Sequence, residues 1–189
     1  MTAALTPKKT ILDAQQMRRV VRRMAGELVE RNRGVSDLLL IGVVTRGVPL
    51  AEALAAEMER MEGKRVPIGT LDITLYRDDL STIAPQPIVK GTHFPVPIEG
   101  RVVVLCDDVL YTGRTVRAAL DALVDYGRPR AVQLAVLVDR GHRELPIQAD
   151  VVGKVVPTAA TEVIKVAFPS TDDGKEFVQI LERAASDGA

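Results

Sequence analysis

Cysteine and aromatic residues are scarce in this chain of 189 residues, and each shortage excludes a class of structure. The only cysteine is Cys106, so no intramolecular disulfide bond can form, and we expect a reduced, cytoplasmic setting. We interpret Cys106 as a small buried strand residue. Aromatic residues make up 3% of the chain and tryptophan is absent, so the core must be aliphatic.

Net charge and long apolar runs are also missing. The 25 Lys and Arg residues balance 25 Asp and Glu residues, which argues against a protein that coats a polyanion over its whole surface. A local basic patch stays possible. No apolar run approaches the roughly 18 residues of a membrane span, and the N-terminal sequence MTAALTPKKT lacks the apolar core of a signal peptide. We therefore expect no membrane association.

The rest of the chain alternates between patterns typical of helices and strands. Asp13, with Gln16 three residues later, predicts a capped helix that ends near residues 32–34. Further helices are predicted at residues 49–62 and 115–126. Strands are predicted at residues 38–44, 66–75, 101–107, 131–138, 151–156 and 162–168, with a final element at 176–181. This order predicts an α/β fold, in which helices flank a central, mainly parallel sheet.

One segment, residues 76–100, interrupts that alternation. It contains four prolines and little helical periodicity. Such a stretch is either a long functional loop or a loose hairpin.

Polar residues follow three of the predicted strands. They are residues 45–47 (TRG), residues 107–115 (DDVLYTGRT) and residues 139–143 (DRGHR). Parallel sheets bind ligands beyond the carboxyl ends of their strands, so we expect all three clusters at that edge.

The middle cluster combines an acid pair with a loop suited to an anion. Residues 110–115 lead into a helix, whose N-terminus offers free backbone N–H groups and a partial positive charge. Gly113 allows a ligand to approach closely, and the hydroxyls of Thr112 and Thr115 add donors, so the loop predicts a phosphate site. It is neither a Walker loop nor a dinucleotide fingerprint, because Gly-Lys-Ser/Thr and G-x-G-x-x-G are both absent.

Asp107 and Asp108 must then bind something other than phosphate. Carboxylates accept hydrogen bonds, and a ribose offers vicinal hydroxyls as donors. A ribose phosphate lying across the loop would place its hydroxyls on the two acids and its phosphate on residues 111–115. The alternative is structural, a capped helix after a strand with Asp108 only as a turn residue.

The acid pair and its loop resemble the motif by which type I phosphoribosyltransferases bind phosphoribosyl pyrophosphate (PRPP). Two more decamers, LDITLYRDDL at 71–80 and VDRGHRELPI at 138–147, narrow the resemblance. Together the three are similar to one member family, the bifunctional pyrimidine operon attenuation regulators and uracil phosphoribosyltransferases. The resemblance implies the type I phosphoribosyltransferase fold in a single domain over residues 1–189. It also implies a flexible loop at about 76–100 and a small hood, formed by about residues 140–170 and the N-terminal segment.

The activity implied is transfer of ribose 5-phosphate from PRPP to uracil, which gives UMP and pyrophosphate. Mg²⁺ is expected to arrive with PRPP and to have no direct protein ligand. The implied catalytic residues are Arg46, Asp107 and Asp108, and the implied loop residues are Tyr76, Arg77 and Lys90, as candidates to reach the pyrophosphate. The implied substrate-binding residues are Thr45, Arg46, Gly47, Asp107, Asp108, Val109, Leu110, Tyr111, Thr112, Gly113, Arg114, Thr115, Arg140 and Ile164.

A second implied activity is binding to the leader mRNA of pyrimidine genes, tightened by UMP or UTP. The first predicted helix carries an arginine face opposite its apolar face, although such a stripe is usually only a solvated face. The residues expected to contact RNA are Arg18, Arg19, Arg22, Arg23, Arg31, His142, Arg143 and Lys154. The chain departs from the family pattern twice, with Gln148 in place of an arginine and Val155 in place of an asparagine.

Two other functions stay open at this stage. One is a nucleotide-sensing RNA regulator without enzymatic activity, and the other is a phosphoribosyltransferase for another base, such as a purine. The intact loop and residues 45–47 favour catalysis, whereas residues 139–147 favour uracil. The resemblance also implies a homodimer or a larger homo-oligomer. Residues 168–189 contain no motif that assigns them a role.

Overall fold

The computed structural model describes residues 5–77 and 91–183 of the chain. Their elements are, in order, β1 (Leu5–Leu12), α1 (Ala14–Asn32), β2 (Leu38–Val43), α2 (Gly47–Glu62), β3 (Ile68–Leu71), a 3-10 turn (Thr74–Tyr76), β4 (Val102–Leu110), α3 (Arg114–Val124), β5 (Ala131–Asp139), β6 (Val151–Val155), β7 (Glu162–Ala167) and β8 (Phe177–Arg183). No helix in these two ranges is long and apolar enough to span a membrane.

Five strands form the main sheet, in the order β3-β2-β4-β5-β6, and every neighbouring pair is parallel. The predicted parallel sheet is therefore confirmed. All residues of β2 are buried, as its continuous apolar sequence LLLIGV requires of a strand covered on both faces. The strand β4 occupies the centre, so the end of β4 lies between the ends of β2 and β5.

Helices cover both faces of the main sheet. Val104 and Cys106 of β4 belong to the core shared with α1 and α2, whereas Val103 and Leu105 belong to the core shared with α3. This alternation is the normal consequence of the two-residue period of a strand. Cys106 is buried, as predicted, and burial raises the pKa of its thiol far above the ordinary value.

A second, three-stranded sheet is antiparallel and has the order β1-β8-β7. Its strand β1 is absent from the sequence-based prediction, because the segment LTPKKTIL is almost wholly exposed and carries no alternating apolar pattern. Of the range assigned to a hood, only β7 joins this sheet, whereas β6 forms an edge of the main sheet. The apolar side chains of β7 and β8 pack into the same core as α1.

Several predicted boundaries differ from those of the structure, and three of them lie next to the polar clusters or in the main sheet. The strand predicted at 66–75 ends at Leu71, because the Asp72 carboxylate accepts hydrogen bonds from the backbone and hydroxyl of Thr74 and starts the 3-10 turn. The strand predicted to end at residue 107 continues to Leu110, which pairs with Asp139 of β5. The helix predicted at 115–126 spans 114–124.

The start of α1 agrees with the prediction. The Asp13 carboxylate accepts a hydrogen bond from the backbone N–H of Gln16 at 2.8 Å, and the Gln16 side chain accepts one from the backbone N–H of Asp13 at 3.0 Å. The helix ends at Asn32, and Arg33 caps it with a positive φ of 55°.

Candidate active site

The parallel sheet brings the three polar clusters to one edge. Residues 45–47 follow β2, residues 107–115 include the end of β4, and residues 139–143 include the end of β5. These three strands are neighbours in the sheet, and all point the same way. The clusters therefore surround the carboxyl end of β4, where ligands of such sheets bind.

The acid pair lies within the last four residues of β4 rather than after the strand. Asp107 is 7% exposed, and its carboxylate accepts a hydrogen bond from the backbone N–H of Asp108 at 3.0 Å. The Asp108 carboxylate accepts one from the N–H of Val109 at 2.9 Å. Burial, followed by the neighbouring charge, raises the pKa of Asp107, and burial raises that of Asp108 against the opposing pull of Arg46. Both carboxyls thus favour a partner that neutralises them.

Arg46 lies next to this acid pair because α2 begins in contact with β4. A β-carbon on Gly47 would lie 2.1 Å from the carbonyl oxygen of Cys106, so only glycine permits this approach. The Arg46 side chain is 37% exposed, and its guanidinium interacts electrostatically with the carboxylate of Asp108. A cis peptide bond joins Val44 to Thr45 just before it.

The loop after β4 has the form expected of a phosphate site. Gly113 adopts a φ of 92° and is the N-cap residue of α3, where it offers no side-chain acceptor; the Arg114 N–H donates to the Thr112 hydroxyl at 3.3 Å. The Thr112 carbonyl accepts hydrogen bonds from the N–H groups of Glu144 and Leu145, at 3.0 and 3.1 Å. Residues 144–145 thereby fix the loop, and the N-terminus of α3 keeps backbone donors for an anion.

Arg140 packs against Tyr111 beside this loop. The carbon centre of the guanidinium lies 4.1 Å from the centroid of the tyrosine ring. Arg140 also donates to the hydroxyl of Thr158 at 3.0 Å and to the carbonyl of Ala159 at 3.1 Å. His142 completes the group: its ring lies 5.8 Å from that of Tyr111, centroid to centroid, in a T-shaped arrangement, and its Nε2 lies 2.6 Å from the carbonyl oxygen of Thr158. Residues 158–159 are therefore held close to the phosphate loop.

Three predicted substrate residues point their side chains away from this edge. Leu110 is buried in the core shared with α3, and Ile164 is buried in the core shared with α1 and α2. Val109 is partly buried against the core shared with α1 and α2. Any contact of these residues with a ligand would have to come from the backbone.

The residues predicted to contact RNA are mostly engaged within the chain. Arg143 connects three parts of the chain. It forms an ion pair with the Asp139 carboxylate at 2.5 Å, and it donates hydrogen bonds to the carbonyls of Ile147 at 2.9 Å and Tyr111 at 2.8 Å. Four arginines of α1 form ion pairs with acidic side chains. The pairs are Arg18–Glu176, Arg22–Glu57, Arg23–Glu27 and Arg31–Asp150.

Arg19 and Lys154 differ from the others. Both are exposed, and neither has an ion pair or hydrogen bond within residues 5–77 and 91–183. Arg23 also donates to the carbonyls of Val152 and Gly153, at 2.9 and 2.5 Å, so it ties α1 to β6. The two residues that depart from the family pattern, Gln148 and Val155, have exposed side chains.

The predicted loop residues are only partly described. The Tyr76 hydroxyl donates to the Asp125 carboxylate, at the end of α3 that is opposite the phosphate loop. Arg77 is the last described residue before the gap, and Lys90 lies outside the described residues. Tyr76 thus attaches the start of the segment 76–100 to the C-terminal end of α3, and its hydroxyl is directed to Asp125 rather than to the acid pair.

Asp172 is a residue of the site that the sequence-based prediction misses. It pairs with Arg46 through both carboxylate oxygens, at 2.6 and 2.9 Å, although 126 residues separate the two in the chain. The turn after β7 that carries it (FPSTDDGK) contains no motif for such a role. The turn connects the paired strands β7 and β8, and this long-range arrangement brings Asp172 to Arg46.

The acid pair fits a cation that arrives with its ligand. Within the described part of the chain, no group of three or more His, Cys, Asp and Glu side chains is arranged to hold a metal ion. Mg²⁺ commonly keeps several waters and binds through one or two carboxylates together with substrate phosphates. Asp107 and Asp108, whose ionised form burial disfavours, would gain from the positive charge of such a cation without being its direct ligands.

Comparison with known proteins agrees with this geometry. The phosphoribosyl transferase domain family matches residues 7–170. The bifunctional protein PyrR of Deinococcus deserti is 62% identical over 176 residues, which cover 93% of this chain and 96% of that protein. The bifunctional protein PyrR of Thermus thermophilus is 56% identical over 176 residues, which cover 93% of this chain and 97% of that protein.

Solved structures are similar as well. A hypoxanthine phosphoribosyltransferase of Trypanosoma cruzi has a TM-score of 0.70 and 16% identity, covering 94% of this chain and 98% of that one. One from Staphylococcus aureus has a TM-score of 0.72 and 16% identity, covering 96% of this chain and 95% of that one. At such identities the likeness concerns the fold alone, and it confirms the expected type I phosphoribosyltransferase fold.

Proposed function

The chain belongs to the phosphoribosyltransferase family and, within it, to the family of bifunctional PyrR proteins, and from this membership we propose its reaction and its ligands. The proposed reaction transfers ribose 5-phosphate from PRPP to uracil and releases pyrophosphate and UMP. The observation that carries this proposal is the acid pair at the end of β4, followed at once by an uncapped helix start. A sugar phosphate offers hydroxyls to the acids and an anion to the helix.

In the proposed reaction the bond from C1 of ribose to pyrophosphate breaks and a bond from C1 to N1 of uracil forms. The N1 proton leaves, and pyrophosphate departs with the bonding electrons. Positive charge develops on the sugar, so the catalysis asked of the protein is mainly positioning and charge stabilisation. Asp107 and Asp108 would hold the ribose hydroxyls, the start of α3 the 5-phosphate, and Arg46 the pyrophosphate. Bound Mg²⁺ would neutralise part of the charge on the pyrophosphate.

The test of this proposal is the formation of UMP from uracil, PRPP and Mg²⁺, followed by chromatography. The wild type should form UMP, and hypoxanthine in place of uracil should give little or no nucleotide. Changing both Asp107 and Asp108 to Asn should lower kcat/KM by at least a hundredfold, because the ribose loses two charged acceptors. Complete absence of UMP formation by the wild type, or near-normal turnover of the double variant, would contradict the proposal.

We also propose that the protein binds pyrimidine leader mRNA and that UMP strengthens this binding. The observation that favours it is the pair of exposed cations, Arg19 and Lys154, which have no ionic partner within residues 5–77 and 91–183. A gel-shift assay with leader RNA, with and without UMP and at two salt concentrations, tests it. RNA binding without any UMP formation would favour a regulator that has lost catalysis. The oligomeric state, which we propose to be a homodimer or larger, can be measured by light scattering.

A further inference from the structure

We propose that Asp172 is a positioning residue, which holds the Arg46 guanidinium so that its free edge meets the pyrophosphate of PRPP. This inference rests on the proposed function, because it assigns Arg46 to the pyrophosphate. It concerns the turn between β7 and β8, residues 168–176, to which the sequence assigns no role.

The contacts of Arg46 fix the guanidinium on two sides. Nη1 donates to one oxygen of Asp172 at 2.6 Å and to the carbonyl of Val166 at 2.5 Å, and Nη2 donates to the other oxygen of Asp172 at 2.9 Å. A bidentate pair of this kind sets the plane of the guanidinium as well as its position. A single hydrogen bond or a surface ion pair would leave that plane free to rotate.

The edge of the Arg46 guanidinium that makes none of these three hydrogen bonds suits a phosphate group. Three of the five N–H groups of the guanidinium are used, and no further partner of Arg46 exists within residues 5–77 and 91–183. The two that remain are Nε–H and one N–H of Nη2, which lie side by side on one edge. Such an edge can donate two parallel hydrogen bonds to two phosphate oxygens. The contact with Asp172 therefore does not compete with the anion for the same donors.

Asp172 is itself held rigidly, which a positioning residue requires. One of its oxygens also accepts hydrogen bonds from the backbone N–H of Phe168 at 3.0 Å and from the hydroxyl of Thr171 at 2.8 Å. These bonds, and foremost that to Arg46, hold the pKa of Asp172 well below its usual range, so the carboxylate stays ionised at any working pH. Thr171 and Thr45 line the same cleft of about 290 Å³, so the turn lies directly beside the loop that carries Arg46.

The test compares Asp172→Asn with Asp173→Asn. Asparagine at 172 keeps one acceptor oxygen but loses the charge and the bidentate pair. Asp173 provides a matched control, because it is the next residue, is exposed, and has no ion pair or hydrogen bond within the described ranges. We expect Asp172→Asn to raise the Kd for PRPP with Mg²⁺, measured by calorimetry without uracil, by about tenfold. The KM for PRPP should rise similarly, the KM for uracil should stay within twofold, and Asp173→Asn should change none of the three.

A double-mutant cycle separates positioning from a general structural effect. If Asp172 acts through Arg46, then adding Asp172→Asn to Arg46→Ala should change the Kd for PRPP by less than twofold. Asp172→Glu keeps the charge but displaces it by one methylene, so its Kd should lie between those of the wild type and Asp172→Asn. Thermal unfolding shows whether each variant folds. If Asp172→Asn does not fold, the Kd for PRPP of Asp172→Glu is compared with that of the wild type instead.

Each other outcome overturns the proposal. An unchanged or lower Kd for PRPP in Asp172→Asn would mean that the ion pair is irrelevant to the anion or competes with it. An equal loss in the Arg46→Ala background would mean that Asp172 acts independently of Arg46. A wild type that binds PRPP but forms no UMP would contradict the proposed reaction. The double-mutant cycle could still be interpreted, because it depends only on the Kd for PRPP. A wild type that does not bind PRPP would overturn both.

Discussion

At the scale of single residues, the two acids of β4 are held where their charge is costly. Asp107 is almost fully buried, and Asp108 lies beside it, so burial and mutual repulsion both disfavour ionisation. The only cation that opposes this at Asp108 within the described residues is Arg46. A stable core would not place two carboxyls here, so their position is better explained by a ligand than by folding.

Replacing Asp107 with asparagine should therefore stabilise the fold while abolishing turnover. The folded pKa of Asp107 lies above its unfolded value of about 3.9, so the folded state binds more protons and the unfolding free energy falls as the pH rises through that window. At pH 7.5 we expect Asp107→Asn to add about 1 kcal/mol, which is roughly 2–4 °C in Tm for a domain of this size. Calorimetry between pH 4 and 8 measures this.

The pH dependence is the decisive part of that measurement. The gain in Tm should shrink as the pH falls towards 4, because the wild-type carboxyl is then protonated in the folded state and increasingly so in the unfolded state. The exposed carboxylate variant Asp173→Asn serves as control and should change Tm by less than about 1 °C. A lower Tm for Asp107→Asn at pH 7.5 would show that the buried charge is compensated in the free protein.

The residues of the site were predictable from the sequence only where they are close in the chain. Asp107, Asp108 and Gly113 lie in one segment, whose strand, acids, glycine and helix start each leave a local signal. The Arg46–Asp172 pair leaves none, because the two residues are far apart and the turn around Asp172 contains only common turn residues. Arg143 was predicted to contact RNA, whereas its carbonyl contacts depend on the course of a loop that no local pattern specifies.

At the scale of elements, the start of α2 is packed directly on the backbone of β4. Gly47 is buried, and its neighbour across the contact is the carbonyl of Cys106, the residue before the acid pair. One backbone contact thus sets the distance between the loop of Arg46 and the acids. Gly42 makes a similar close approach to Val48, which holds β2 and α2 together at the same end.

Substituting alanine for Gly47 should move the loop that carries Arg46 away from the acid pair Asp107 and Asp108. The added β-carbon would overlap backbone rather than a flexible side chain, so we expect a loss of about 2 kcal/mol or more in the unfolding free energy. The Kd for PRPP should rise by at least tenfold, because Arg46 moves with the helix. Denaturant unfolding and calorimetry measure the two effects.

Gly26 offers the matched control for this change. It lies within α1, and a β-carbon there meets no atom within 4 Å. Gly26→Ala should stabilise the protein by up to about 1 kcal/mol, because alanine favours helix over glycine, and should leave the Kd for PRPP unchanged. Equal stability of Gly47→Ala and the wild type would refute the packing argument.

Most elements were predictable because their apolar periodicity is strong, but their ends were not. The end of β4 depends on pairing with β5, which a single segment cannot report. The strand β1 was not predicted at all, since most of its residues are exposed, its sequence has no alternating apolar pattern, and it pairs with the distant strand β8. Pairing between distant segments decides such strands, rather than intrinsic preference.

At the scale of the whole molecule, the zero net charge is accompanied by local pairing of opposite charges around α1. Most arginines of α1 are paired with acids on other elements, so the arginine face that the sequence predicts is largely neutralised. Arg19 lies one helical turn before Arg23, which reaches the backbone of β6, so Arg19 and Lys154 lie on the same side of the protein. The cationic surface left for RNA is small.

Reversing the charge of Arg19 should weaken RNA binding specifically. We expect Arg19→Glu to raise the Kd for leader RNA by about tenfold and to lower the slope of log K against log salt by about 1, as for one lost phosphate contact. Arg65→Glu is the control, because Arg65 is 90% exposed and precedes β3, at the opposite edge of the sheet from β6. Similar losses in both variants would indicate a non-specific effect of charge.

The pairing of β1 with β8 also bears on how the protein is made. Leu5 lies opposite Arg183 in the small sheet, so β1 pairs with the last described strand, which is synthesised after all the elements between them. Closing such a long span of chain is slow compared with forming the local units between its ends. During synthesis β1 therefore remains unpaired until the elements from α1 to β7, and then β8, have been translated. Nascent chains can associate through the unpaired strand during that interval.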